Sequence, residues 1–178
     1  MTKPQRGCIM IYYNILREDF MSVIIPGSFD PPTLGHLDVI RKAAERYDEV
    51  YVVAFNNPNK TYTFSPEDRV AMLMLATDEL DNVLVSYSAG LVVDYMRDHE
   101  IDLIVKGYRN ESDLLWEREQ AEYNKRFGGY ETELIPASPE YIGLSSTLVR
   151  EKIAMGESIE GLVTPEVEKY ILENKPKG

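Results

Sequence analysis

Val23-Ile24-Ile25-Pro26-Gly27-Ser28-Phe29-Asp30-Pro31-Pro32-Thr33-Leu34-Gly35-His36 is a β-branched run that stops at Pro-Gly, turns through polar residues, and resumes apolar periodicity at Leu34. A strand therefore runs into a loop and then into a helix. Gly27 permits positive φ or a close backbone approach. Thr33 suits an N-cap, which puts Gly35 and His36 in the first helical turn. Free N–H groups there, with roughly half a positive charge from the helix dipole, favour an anion. His36 adds a further donor at the same place, an arrangement suited to a phosphate that gains charge during reaction. A strand–turn–helix corner of any α/β domain would explain Gly27 and the prolines equally well.

Outward from this stretch, helix and strand patterns alternate. Leu37, Ile40, Ala44 and Tyr47 recur at helical spacing, and residues 50–55 form a continuous apolar run, as in a strand buried on both faces. Residues 56–60 are a turn-rich loop, and Ser65-Pro66-Glu67-Asp68 opens a helix through Val70, Met74 and Leu75. A strand over 83–87, a helix over 91–99 and a strand over 101–105 follow. Gly107 is expected to end that strand. A charged helix from about Glu111 stops at Gly128-Gly129, and residues 132–135 make a last strand. Ser145 or Ser146 caps a helix ending near Gly156, and Thr164-Pro165-Glu166 starts another. The reading is α/β: a doubly wound, five-stranded parallel sheet, which binds ligands at the carboxyl ends of its strands.

The formal net charge of −11 argues against a general nucleic-acid or anionic-membrane binder, although a local Lys/Arg cluster can still focus positive potential on a small anion. Cys8 is the only cysteine, so no intrachain disulfide forms and a cytoplasmic setting is expected. Two histidines and one cysteine are too few for a Cys/His zinc site, and no apolar run is long enough to span a bilayer. Residues 1–20 are read as an N-terminal extension outside a single domain over 21–178. Arg17-Glu18-Asp19 stands where a signal-peptide cleavage site would need small residues, and Met21 is the expected start.

Three elements carry a family resemblance. PGSFDPPTLGH resembles the PG-[ST]-FDP-x-T-x-GH signature of the nucleotidyltransferase superfamily. Thr33 in place of its first histidine is the form of the phosphopantetheine adenylyltransferases. Nicotinate mononucleotide adenylyltransferases and cytidylyltransferases usually carry histidine there. Lys106-Gly107-Tyr108-Arg109, followed by Asp113 and Glu117, resembles that family's RG-[LY]-R-x-x-x-D-x-x-x-E, with Lys106 departing from the usual arginine. Tyr141-Ile142-Gly143-Leu144-Ser145-Ser146-Thr147 resembles the superfamily's [IV]-S-[ST]-[ST] element. The resemblance runs from about Met21 to the end of the helix after Ser146.

It implies a Rossmann-like nucleotidyltransferase fold and transfer of the adenylyl group of ATP to 4′-phosphopantetheine, with Mg²⁺ carried by ATP and no protein-held metal. It also implies a homohexamer and possible feedback binding of coenzyme A. His36 would stabilise the transition state, with Lys60 and Arg109 as further catalytic residues. ATP would meet Ser28, Phe29, His36, Gly107, Tyr108, Arg109, Glu117 and the segment Tyr141, Ile142, Gly143, Leu144, Ser145, Ser146, Thr147. The acceptor would meet Ser28, Lys60, Leu91, Val92 and Lys106. Simpler roles stand beside these: a buried turn hydroxyl for Ser28, a solvated lysine for Lys60, core helix residues for Leu91 and Val92. Asp113 either orients Arg109 or faces solvent. Trp116 reads as a packing or interface residue, and His99 as the end of a solvated helix. A nicotinate mononucleotide adenylyltransferase and a catalytically silent nucleotide-binding scaffold are the competing functions.

Overall fold

A computed structural model describes residues 20–174. Strands β1 (Ser22–Gly27), β2 (Glu49–Phe55), β3 (Val83–Ser88), β4 (Leu103–Tyr108) and β5 (Glu131–Pro136) form one sheet in the order β3-β2-β1-β4-β5, and every pairing is parallel. Between and after them come α1 (Leu34–Ala44), α2 (Pro66–Thr77), α3 (Val92–Asp98), α4 (Glu111–Gly128), a 3₁₀ turn (Pro139–Tyr141), α5 (Ser146–Met155) and α6 (Pro165–Glu173).

Side-chain alternation along the strands produces the two-sided cover. Val23, Ile25, Val50, Val52, Ala54 and Val105 face Val39, Ile40 and Ala43 of α1. Ile24, Val53 and Ile104 face the other way and pack on Met96 of α3. Each fully buried aliphatic side chain is worth about 1.5–3 kcal/mol, so the faces of the sheet outweigh any local helix preference. A third cluster joins Met72 and Ala76 of α2 to Val149 of α5 and to Val167 and Ile171 of α6.

Helix starts follow the sequence closely. Ser65 and Asp68 close a reciprocal capping box behind Pro66, and Thr164 caps α6 ahead of Pro165. Gly129 and Gly156 end α4 and α5 with φ of +77° and +71°. Some boundaries around α3 and β4 differ from expectation. The helix expected over 91–99 is shorter, with Leu91 and His99 as its caps. The strand expected over 101–105 begins at Leu103, because the Ile101 N–H closes a turn onto the Met96 carbonyl. That strand continues through Gly107 to Tyr108 instead of ending there. Gly107 pairs with Ile135, and a side chain on it would collide with Val39, so its bareness lets α1 lie close on β4. Cys8 and Arg17-Glu18-Asp19 lie outside the described residues.

Candidate active site

A cleft of about 780 Å³ opens at the carboxyl ends of β1, β2 and β4. Its floor is the turn after β1. A Cβ on Gly27 would stand 2.8 Å from the Phe29 ring, so only glycine fits that ring. Phe29 itself takes φ of +49°, a left-handed conformation that a bulky residue adopts only under tertiary constraint. Its ring is buried and meets His36 edge-on at 5.1 Å. Phe29 thus underlies His36, while also lining the cleft. The Asp30 carboxylate accepts from the N–H groups of Thr63 (3.0 Å) and Phe64 (2.9 Å), pinning the turn to the segment that enters α2.

Thr33 caps α1 in a reciprocal box with His36. The Thr33 N–H donates to His36 Nδ1 at 3.0 Å, which leaves the ring proton of the neutral imidazole on Nε2. Burial, then the positive charges of Lys106 and Arg109, pull the His36 pKa down to about 4. At neutral pH the side chain is an uncharged donor, a state suited to a phosphate whose charge the neighbouring cations already balance.

Those cations come from β4 and the residues just after it. Lys106 Nζ donates to the Pro26 carbonyl at 3.3 Å and lies 3.8 Å from the Glu117 carboxylate. Burial raises the Glu117 pKa, Lys106 opposes the rise and Asp113 adds to it. Arg109 donates through Nε to Asp113 (2.8 Å) and through Nη1 to the Leu144 carbonyl (3.2 Å). Asp113 therefore orients Arg109, which settles one of the open alternatives.

The segment before α5 divides. Tyr141, Leu144, Ser145 and Ser146 line the cleft; Ile142, Gly143 and Thr147 do not. Ser145 is the helix cap, accepting from the Leu148 N–H, whereas Ser146 Oγ donates to the Pro31 carbonyl at 2.8 Å. Thr147 Oγ1 accepts from Arg150, which also reaches the Asp30 carbonyl. Ser146 directly and Thr147 through Arg150 thus stitch α5 to the turn after β1, while Ser145 caps the helix itself; Ser145 and Ser146 face the cleft.

Ser28, Lys60, Gly107, Tyr108 and Val92 also line the cleft. Lys60 sits in an exposed turn closed by its N–H on the Asn57 carbonyl. Leu91, at the position that opens α3, is 66 % exposed and lies outside the cleft. Trp116 is 59 % exposed on the cleft wall instead of packed. His99 caps α3 in solvent, stacked on Tyr95 at 3.9 Å. Gln120, Ala121 and Asn124 of α4 and Thr132 of β5 line the cleft and escaped the sequence reading. The helical stripe 113, 116, 117, 120, 121, 124 was the available signal for the α4 members. Among the described residues, no group of three His, Cys, Asp or Glu side chains is gathered as a metal site, and no helix is long and apolar enough to cross a membrane.

Residues 24–152 match the cytidylyltransferase-like family model. A phosphopantetheine adenylyltransferase from Thermobifida fusca is 42% identical over 149 residues, 84% of this chain and 91% of the relative. The Streptomyces coelicolor phosphopantetheine adenylyltransferase is 43% identical over 150 residues, 84% of this chain and 94% of the relative. This chain belongs to the phosphopantetheine adenylyltransferase family. The relative of the same name from Natranaerobius thermophilus is 40% identical over 155 residues, 86% of this chain and 96% of that one. In three dimensions the chain is similar to a Vibrio parahaemolyticus protein assigned as a nicotinate-nucleotide adenylyltransferase. The TM-score is 0.64 over 86% of this chain and 93% of that one. At 19% identity that likeness speaks for the α/β nucleotidyltransferase fold alone. Fold, family and nucleotidyltransferase class are therefore those expected from PGSFDPPTLGH.

Proposed function

We propose that this chain, a pantetheine-phosphate adenylyltransferase, transfers the adenylyl group of ATP to 4′-phosphopantetheine, forming dephospho-coenzyme A and pyrophosphate in coenzyme A biosynthesis. The observation that carries the chemistry is the convergence of a neutral His36 donor, Lys106 and Arg109 on one cleft. An oxygen of the acceptor phosphate bonds to the α-phosphorus as the bond to the bridging oxygen breaks, and pyrophosphate leaves with that electron pair. The attacking oxygen is already ionised, so alignment and charge neutralisation do the work.

In this reading His36 Nε2–H donates to the α-phosphoryl oxygen as its charge grows. Ser28, Lys60 and Lys106 hold the acceptor phosphate, and Val92 meets the pantetheine arm. Arg109 and the start of α5, at Ser145 and Ser146, hold the outer phosphates of ATP. Tyr108, Gly107, Glu117, Tyr141 and Leu144 border the nucleotide. Mg²⁺, bound to ATP's own phosphates and water, would supply further charge neutralisation.

The same proposal includes a cytoplasmic setting, a homohexamer and feedback binding of coenzyme A. The exposed Leu115, Tyr123 and Phe127 of α4 support subunit contacts. It also takes the domain as residues 21–178. β1 begins at Ser22, and the Met21 N–H donates to Asp48 at 2.8 Å. A chain lacking residues 1–20 should keep its solubility and turnover; loss of soluble protein would make that extension structural.

Pyrophosphate release from ATP, measured across phosphate acceptors, tests the activity. Turnover with 4′-phosphopantetheine and none with nicotinate mononucleotide is the expected result. The opposite preference would favour the competing enzyme, and no release with any acceptor would favour a silent scaffold.

A further inference from the structure

Arg69 has the largest of the fully buried side chains, at 0 % exposure, and it carries a charge. It lies on α2, beneath the cleft and outside its lining. Nη1 donates to the Ser28 carbonyl at 2.8 Å and to the Phe55 carbonyl at 3.3 Å; Nη2 donates to Asn56 Oδ1 at 3.2 Å. The guanidinium lies 4.2 Å from the centre of the Tyr62 ring and 6.0 Å from that of Tyr87, while Nε–H makes no hydrogen bond. Among the described residues no carboxylate pairs with it.

Two consequences follow. One guanidinium joins the turn after β1, which bears Ser28, to the end of β2, from which the Lys60 turn departs. Tyr62 extends the tie: its hydroxyl accepts from the Asn57 N–H at 2.7 Å, and the Asn57 carbonyl accepts from Lys60 N–H at 3.0 Å. The second consequence is electrostatic. A buried cation balanced only by carbonyl dipoles and ring faces keeps most of its field, and low-dielectric surroundings screen that field weakly. A mere strut between the two loops would not need the charge, whose burial is unfavourable without a partner.

We infer that Arg69 is a positioning residue for the acceptor phosphate. It sets Ser28 and Lys60 at a fixed separation and adds a permanent positive field beneath them. The inference rests on the acceptor reading given under the proposed function.

The test compares binding of 4′-phosphopantetheine with binding of unphosphorylated pantetheine in the full chain, for the wild type, Arg69→Lys and Arg69→Met. KM for each substrate is measured in parallel. Arg69→Met should weaken 4′-phosphopantetheine about tenfold, the scale of one charged hydrogen-bond contribution, and leave pantetheine and the KM for ATP within about twofold. Arg69→Lys, which keeps the charge and loses the fork, should recover part of that loss. Combined with Lys60→Ala, the Arg69→Met effect should be less than additive. Equal losses for both ligands, or a loss confined to ATP, would overturn the assignment. Should Arg69→Met fail to fold, Tyr62→Phe decides. It should narrow the preference for the phosphorylated ligand, and an unchanged preference overturns the inference. A wild type that neither binds nor turns over 4′-phosphopantetheine would instead overturn the functional reading itself.

Discussion

The backbone N–H of Thr33 donates to Nδ1 of His36 at 3.0 Å, so the first turn of α1 determines which ring nitrogen can serve a ligand. With Nδ1 occupied as an acceptor, Nε2 carries the proton. Burial, Lys106 and Arg109 lower the His36 pKa from 6.5 to about 4. Between these values the unfolded chain binds more protons than the folded one, so this group makes stability fall as pH drops from about 6.5 to about 4. Proton-detected titration of the free protein should place His36 near the lower value. Urea midpoints at pH 7, 5.5 and 4 should decline less in His36→Asn than in the wild type. A titration at or above 6.5 would remove the effect.

His36→Ala should leave ATP binding intact and lower kcat by about 10²–10³, the effect of losing one transition-state donor. Single-turnover kinetics beside equilibrium ATP binding measure both quantities. An unchanged kcat would take His36 out of the mechanism.

Gly107→Ala is expected to destabilise by overpacking. The added Cβ would meet Val39 Cγ2 at 2.6 Å, and Val39 is a buried β-branched side chain with little room to turn. A loss of about 1–3 kcal/mol should appear in the denaturant midpoint. Val39→Ala in the same chain should recover part of it, and strict additivity of the two changes would refute the clash.

Lys106 sits where the family resemblance carries arginine, and its Nζ reaches the Pro26 carbonyl at 3.3 Å. A point charge suffices at that place, whereas only arginine offers a planar fork. Lys106→Ala should raise KM for 4′-phosphopantetheine more than KM for ATP, and Lys106→Arg should retain most activity. A rise in KM for ATP alone would assign Lys106 to the nucleotide.

Much of the site was legible because it depends on local chemistry. Thr33, Ser65 and Thr164 act as caps wherever a helix starts behind them, and alternating strand and helix patterns dictate a parallel sheet. What stayed hidden depends on contacts between distant segments. The left-handed turn at Phe29 reflects a ring wedged between Gly27 and His36, which no propensity encodes. Gly107 looked like a strand end because its bareness also serves an approach by α1. Arg69 did leave a trace: it shares a helical stripe with Met72, Leu73 and Ala76, an inward face on which a charge is out of place. Leu91 looked apolar enough for a pocket, yet it stands exposed at the start of α3.

The strand order β3-β2-β1-β4-β5 makes β1 the pivot from which the chain winds outward in both directions. Ser28 follows β1, Lys60 follows β2, Arg109 follows β4, and Ser145 stands beyond β5, so the polar groups of the cleft arrive on separate crossovers. They meet only when β1, β2, β4 and β5 have all taken their places in the sheet. A half-folded molecule is accordingly a silent one, and the rate of pyrophosphate release doubles as a gauge of how many molecules have completed their winding.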